Sequence, residues 1–210
     1  MYDLDIVIIN FKTPDKTIRA IDSLLKYTRN SRIILVDNNS QDHSVTEFKK
    51  RYAYSRNVIL IENNINAGYG KACNLGAKSV SDPAPYIAIA NSDIWVKQDW
   101  FYNLKKPFEN PNVFAVGPKL LNQANRIVGC GVFVQNNRLT IRGWMYPPQH
   151  FSNEEEVDSL CGAFFIADRK KFDELEGFDP QFHFYFEESD LFLRAKEKGY
   201  KNIYNPKSIV

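Results

Sequence analysis

Leu4-Asp5-Ile6-Val7-Ile8-Ile9-Asn10, continued by Phe11-Lys12-Thr13-Pro14, is the stretch on which the fold of this chain turns. Its first seven residues are an almost continuous apolar, mostly β-branched run, the pattern of a strand buried on both faces. Thr13-Pro14 then reads as a helix start, an N-cap hydroxyl followed by proline at the first helical position. Ile18, Ile21, Leu24 and Leu25 recur at helical spacing, so this helix buries one face. A doubly buried strand followed directly by a helix opens a parallel sheet, because parallel strands need helices to cover them.

Working outward, the same alternation continues. Arg32 to Val36 is a second strand, ending in the turn formers Asp37-Asn38-Asn39-Ser40. A more polar helix from about Ser44 to Tyr52 leads to a third strand, Val58 to Ile61. Asn66-Ala67-Gly68-Tyr69-Gly70 opens a helix that runs to about Ser79, and Asp82-Pro83-Ala84-Pro85 breaks it. Tyr86 to Ala90 is a fourth strand, stopping at Asn91-Ser92-Asp93. Trp100, Phe101, Leu104 and Phe108 mark a short helix, and Val113 to Val116 a further strand. Four βα units in succession imply an α/β fold, a mostly parallel central sheet with helices on both faces.

The second half changes character. Ile127 to Val134 and Leu139 to Trp144 flank Asn136-Asn137 and read as a β-hairpin. Met145 to Glu156 is first Pro-rich and then acidic, without a usable period, a candidate lid or binding loop. Leu160 to Ala167 is an apolar strand, and Asp168 can cap a helix ending near Gly177. Glu187 to Lys198 is an amphipathic helix stopped by Gly199, with Ile203-Tyr204 in a last strand. Repeats, low-complexity tracts and linkers are absent, so the economical division is one domain over 1–210.

Composition excludes several classes. With 44% apolar and 25% charged residues the chain is an ordinary globular protein, neither fibrous nor disordered. The formal charge is +2, and the Lys and Arg residues are spread among acids, so no basic stripe of the kind that binds nucleic acid is present. Cys73, Cys130 and Cys161 form no C-x-x-C pair; this argues against a disulfide scaffold or cysteine zinc site and for a reducing, cytoplasmic setting. The N-terminus lacks a signal-peptide pattern. No apolar run approaches the ~20 residues of a transmembrane helix. Any metal would have to sit on oxygen ligands.

In open parallel sheets ligands bind beyond the carboxyl ends of the strands. Asn10, Asp37 to Ser40 and Asn91 to Asp93 all fall there. Asp37 can accept from a ribose hydroxyl or a base N–H, or can simply close an Asx-turn; Asp93 has a similar alternative as a cap or turn residue. Gly68-Tyr69-Gly70 is not G-x-G-x-x-G and does not follow the first strand, so a nicotinamide-binding domain is disfavoured. Those glycines read better as a positive-φ turn and close helix packing. Glu187-Glu188-Ser189-Asp190 opens the last helix. Acids there offset the helix dipole, whereas burial among His183-Phe184-Tyr185-Phe186 would raise a carboxyl pKa toward that of a general base.

Taken together, these segments resemble family 2 glycosyltransferases of the A-type fold, in particular their rhamnosyltransferase-like branch. Seven pieces carry the resemblance, in family order: Ile8-Ile9-Asn10, Val36 to Ser40, Asn66-x-Gly68-x-Gly70-x-Ala72-x-Asn74, Asn91-Ser92-Asp93, Gly162-Ala163-Phe164-Phe165, Gly177-Phe178-Asp179, and Phe184-x-Phe186-Glu187-Glu188-x-Asp190-Leu191. The resemblance implies a single-domain Rossmann-like nucleotide-diphospho-sugar transferase fold with a small hairpin and acceptor subregion. Residues 1–120 would bind the nucleotide sugar and 121–210 the acceptor and the catalytic base.

By position, Asn10, Asp37, Asn66 and Asp93 are implied to bind the nucleotide. Asn91-Ser92-Asp93 takes the place of the D-x-D motif, with Asp93 binding Mg²⁺ or Mn²⁺. Glu188 takes the place of the base, with Glu187 or Asp190 as alternates, and Gly162, Ala163 and the 145–156 loop lie on the acceptor side. The implied reaction is inverting transfer from dTDP-rhamnose or a UDP-sugar to a saccharide or lipid-linked saccharide acceptor in polysaccharide biosynthesis. It would take place in the cytoplasm or, by peripheral association, at the inner face of the membrane. Asn91 replaces the first D-x-D acid, and Glu188 stands where the family usually has Asp. Relatives continue into a metal-binding His, but none follows Tyr204. The expectation is therefore a chain shorter than the family's full length, with a non-catalytic or truncated nucleotide-sugar-binding module as the alternative.

Overall fold

A computed structural model describes residues 1–136 and 138–210. Four parallel strands form one half of the sheet: β1 (Leu4–Asn10), β2 (Ser31–Asp37), β3 (Val58–Glu62) and β4 (Tyr86–Ala90). Six further strands are β5 (Val113–Leu121), β6 (Ile127–Gly129), β7 (Val132–Gln135), β8 (Arg138–Ile141), β9 (Glu155–Val157) and β10 (Phe164–Asp168); the last is β11 (Lys201–Ile209). The main sheet runs β3-β2-β1-β4-β10-β5-β11-β9, with β6 added to β5. β10 is antiparallel to both neighbours, pairing Phe164 with Ala90 and Ile166 with Val116. β5 and β11 are parallel to each other.

Period-two alternation sorts the sheet's side chains into two cores. Ile6, Ile8, Ile33, Leu35, Ala88 and Ala90 face helices α1 (Pro14–Tyr27), α2 (Ser44–Tyr52) and α4 (Trp100–Lys105). Val7, Ile9, Ile34, Val36, Ile87 and Ile89 face α3 (Tyr69–Lys78), α5 (Arg169–Glu174) and α6 (Glu187–Glu197). Every residue of β1 and β2 is buried. Each such Ile, Leu or Val contributes about 1.5–3 kcal/mol on leaving water. The α/β architecture with a mostly parallel centre and helices on both faces is as the periodicities predict.

At the amino ends of the strands, charges are buried in opposed pairs. Asp5, fully buried, accepts from Arg32 Nε (2.8 Å) and Ala84 N (2.9 Å) and lies 3.5 Å from Arg169 Nη1. Arg32 also binds Asp82 (2.9 Å) and Arg169 binds Asp173 (2.9 Å). This network joins β1, β2, α5 and the loop before β4.

The second half departs from the sequence reading in four places. The run from Ile127 to Val134 is two strands, because Gly131 (φ +103°) turns the chain. β6 pairs with β5, and only β7 pairs with β8, so the hairpin is shorter than predicted; Asn137 in its turn lies outside the described residues. The segment 145–156 ends in β9, which pairs with Tyr204 and its neighbours in β11. The strand expected from Leu160 begins only at Phe164, once it can pair with β4. Thr13 precedes Pro14 as expected but makes no side-chain cap bond, its hydroxyl turning to Ser92 and Asn10 instead.

Candidate active site

The loops at the carboxyl ends of β1, β2 and β4 and at the entry to β10 meet on one rim. Asn10 ends β1, fully buried, opposite Asp37 of β2. Its Nδ2 donates to Asp37 Oδ1 (2.7 Å) and Ser40 Oγ (2.9 Å), while its Oδ1 accepts from Thr17 Oγ1 (2.7 Å). Ser40 donates to Asp37 from both Oγ (2.6 Å, to Oδ1) and N (3.0 Å, to Oδ2). Asp37 thus does close the turn after β2, but Oδ2, with one donor, keeps acceptor capacity for a ligand.

Asn38 fixes the next loop. Its Nδ2 donates to Asn66 Oδ1 (2.9 Å) and Gly68 O (3.3 Å), and its Oδ1 accepts from Asn63 Nδ2 (3.1 Å) and Ala67 N (3.2 Å). Asn66 is therefore held by Asn38 and by Gly68 N (3.2 Å). Gly68 has φ +85°, and a methyl there would fall 2.2 Å from His183 O. Only glycine fits such a conformation at such a contact. Tyr69 N, the next residue, donates to that same carbonyl (3.2 Å). The positive-φ turn expected at this glycine pair is present.

Asn91 N donates to Ala163 O (2.9 Å), and Ser92 Oγ meets Thr13 Oγ1 (3.0 Å). Asp93 is exposed, with Lys16 Nζ at 3.7 Å. Among the described residues no three His, Cys, Asp or Glu side chains gather as a ready ligand cage. One exposed carboxylate does suit the way Mg²⁺ is usually held, by one or two carboxylates, waters and the substrate's phosphates.

The three acids that open α6 have separate surroundings. Asp190 is taken by Arg194 (2.7 Å), whose Nη1 and Nη2 donate to Leu175 O (2.6 Å) and Gly177 O (2.8 Å); this group ties α6 to the loop after α5. Glu187 is 5% exposed and packs beside Gly70, and its Oε2 has no hydrogen-bond partner. Glu188 is half-buried against Gly162, where a methyl would lie 3.0 Å from Glu188 Cγ and 3.3 Å from its carboxyl carbon. Burial raises both carboxyls above the usual carboxylate range, and the charge of Glu187 adds to the rise at Glu188.

One expectation is corrected here. Phe184, Tyr185 and Phe186 are 58%, 69% and 60% exposed, so they do not bury these acids. Tyr185 and Phe186 both hold positive φ and turn outward into solvent. The backbones of α3 and of the Cys161–Ala163 segment supply the packing instead.

All seven sequence segments are linked. Thr13 and Ser92 bridge the Asn10 group to Asn91, Ala163 continues to Gly162 and Glu188, and Gly70 abuts Glu187. Asn74 exchanges two bonds with the backbone of Phe178 (2.7 and 3.0 Å). Sequence reasoning missed the supporting residues Thr13, Thr17, Ser92 and His183. Thr13 meets Ser92 across 79 positions, and His183 meets the Gly68 turn from the far end of the chain. Thr17 reaches Asn10 seven positions back only because α1 folds over the end of β1.

The family description Glycosyl transferase family 2 matches residues 5–176. An N-acetylglucosaminyl-diphospho-decaprenol L-rhamnosyltransferase of Mycobacterium tuberculosis is 23% identical over 99% of this chain and 75% of its own length. The O-antigen biosynthesis protein RfbC of Myxococcus xanthus is 27% identical over 92% of this chain and 16% of its own. Among solved structures, GalNAc-T7 with UDP, GalNAc and Mn²⁺ superposes on the whole chain with TM-score 0.82 at 17% identity. Mannosyltransferase PcManGT from Pyrobaculum calidifontis, in complex with GDP-Man and Mn²⁺, does so over 99% with TM-score 0.73 at 16% identity. The chain spans 43% and 56% of those two proteins. Fold and family agree with the sequence resemblance: the chain belongs to glycosyl transferase family 2.

Proposed function

We propose that residues 1–210 act as one inverting glycosyltransferase, moving a sugar from a nucleotide-diphosphate donor to a saccharide hydroxyl. The observation that carries the reading is the pairing of Glu188, a carboxyl lifted by burial, with Gly162, whose lack of a side chain lets that carboxyl pack against the rim backbone. A base with a raised pKa binds a proton more readily at neutral pH, and the glycine holds that base on the same rim as Asn91 and Ala163.

Glu188 takes the proton of the acceptor hydroxyl as that oxygen bonds to the anomeric carbon. The bond from this carbon to the diphosphate breaks on the opposite side, so the product has inverted configuration. Asp37 Oδ2, supported by Asn10 and Ser40, accepts from the nucleoside. Asn66, held by Asn38, lines the same nucleotide site. Asp93 would hold Mg²⁺ or Mn²⁺ together with the donor phosphates, and a cation there would supply positive charge against that of the departing diphosphate.

The rhamnosyltransferase relative favours dTDP-rhamnose as donor and a lipid-linked saccharide in polysaccharide biosynthesis as acceptor, with UDP-sugars the other donor class. Three free cysteines suit action in the cytoplasm, at the inner face of the membrane.

The test is turnover of dTDP-rhamnose and a panel of UDP-sugars with Mn²⁺ and lipid-linked acceptors, with the product's anomeric configuration read by NMR. Glu188→Gln and Asp93→Ala should fold normally and lose transfer; wild-type rates in both would overturn the assignment. Calorimetric binding of the donor without transfer to any acceptor would leave a nucleotide-sugar-binding module.

A further inference from the structure

The small β7–β8 hairpin stands outside the main sheet. Directly opposed residues of an antiparallel pair share a face, so the pairs Val132–Ile141 and Val134–Leu139 lie together on one side. Val134, Leu139 and Ile141 are 39%, 38% and 54% exposed there. The other side carries Phe133, which packs on the core and receives the Arg142 guanidinium 4.8 Å from its ring centroid. The outer face is therefore apolar without a covering element among the described residues. The chain then continues into Trp144, Met145 and Tyr146, each about half exposed.

Charge in this region is one-sided. From residue 110 to 153 the sequence has no Asp or Glu, whereas Lys119, Arg126, Arg138 and Arg142 fall within it. Lys119 is turned inward to the carbonyls of Pro148 and His150, and Arg142 is tied to Glu155. Arg126 is exposed next to Ile127, whose backbone pairs with Met145 and Tyr146. Arg138 is exposed at the hairpin's end opposite Gln135, at the margin of the apolar face rather than on it. The acids that reach this region from β9 onward, Glu155 and Asp158, are paired with Arg142 and Lys196. An apolar ladder, an adjoining Trp and Tyr, and exposed cations at the margin thus match the chemistry of a bilayer interface carrying anionic headgroups.

We propose that the outer face of the β7–β8 hairpin, with Trp144 to Tyr146, docks on an anionic phospholipid surface. The proposal deepens the reading above and rests on it for its purpose. Ile141 and Cys161 both lie against Gly129, and Cys161 precedes the Gly162 that faces Glu188. Docking by this hairpin therefore brings the acceptor side of the rim to the headgroup level, where the saccharide of a lipid-linked acceptor is carried.

The experiment is co-sedimentation of the full chain, without donor or acceptor, with phosphatidylcholine vesicles and with vesicles also containing phosphatidylglycerol. Binding should favour the anionic vesicles and weaken with salt. Arg126→Gln with Arg138→Gln should lower that affinity by about 30-fold, since each cation near such a surface contributes ~1 kcal/mol. Ile141→Ser with Trp144→Ser should weaken binding to both kinds of vesicle and abolish the vesicle-induced fluorescence change of Trp144. Transfer to a water-soluble acceptor should stay at wild-type rate in both variants.

Failure to bind anionic vesicles, or binding that both double variants leave unchanged, would overturn the proposal. So would a concentration-dependent dimer abolished by Ile141→Ser, which would mean that a second copy covers the face. Vesicle binding without any glycosyl transfer would retain the surface and remove only the enzymatic reading.

Discussion

The two ends of β1 are built on opposite principles. At its amino end Asp5 is buried among Arg32, Arg169 and the amide of Ala84, and every charge has an opposite neighbour. At its carboxyl end Asn10 supports an Asp37 that retains acceptor capacity, and across the rim Glu187 Oε2 is buried with no partner. The charge-balanced end holds the sheet together, although Arg169 Nη1 itself makes no hydrogen bond. The end with acceptors that no cation balances is the proposed ligand site, and it is the less stable arrangement for the protein alone.

Substitutions can break this contrast. Asp5→Ala leaves two buried guanidinium groups without their shared partner and should cost about 3–5 kcal/mol in urea unfolding, with the turnover of the remaining folded protein unchanged. Lost turnover without lost stability would reverse the assignment of the two ends. Gly162→Ala should do the opposite. A methyl 3.0 Å from Glu188 Cγ displaces the proposed base, and a shift near 1 Å costs on the order of 10²-fold in rate, while the melting temperature changes little.

Glu187→Gln sharpens the contrast through pH. The folded-state pKa of Glu187 is raised by burial, so its contribution to stability is fully present below the unfolded pKa and lost as pH rises through the folded one. At neutral pH the variant should therefore be more stable, because a neutral amide costs less to bury than a carboxylate. That gain should disappear in acid. The acid limb of the pH–rate profile should also move down, because the charge of Glu187 helps to raise Glu188. A smaller effect is expected from Lys16→Ala, which removes an exposed 3.7 Å contact with Asp93. Its stability cost should stay under about 1 kcal/mol, as for most surface pairs.

The parallel half of the fold was legible because burial on both faces leaves a mark in local sequence. Leu4 to Asn10 and Arg32 to Val36 are apolar at almost every position, and the helices between them are amphipathic. The second half obeys longer-range rules. Ile127 to Val134 has the composition of one strand, and the turn at Gly131 separates partners that local spacing does not identify. Nor does a five-residue apolar strand announce that it will insert antiparallel between β4 and β5. At the site, the residue types at the strand ends were readable, and the family resemblance assigned them expected roles. Their supports were not readable: Asn10 meets Asp37 across 27 positions, and Asn74 meets Phe178 across 104. The exposure of Phe184 to Phe186 ran against composition, since aromatics usually indicate burial and here two consecutive positive-φ residues direct the chain outward.

The reversed direction of β10 has an architectural consequence. Between the end of β5 and its return next door at Phe164, the chain adds only the short β6 beside β5 and β9 at the sheet's edge, and the β7–β8 hairpin between them is an excursion that pairs with neither. Lengthening such an excursion costs little in chain entropy, about 0.6 kcal/mol for each doubling. The β7–β8 hairpin on the proposed acceptor side can thus be lengthened or rebuilt while β6, β9 and the strand-end loops of β1 to β4 keep their register.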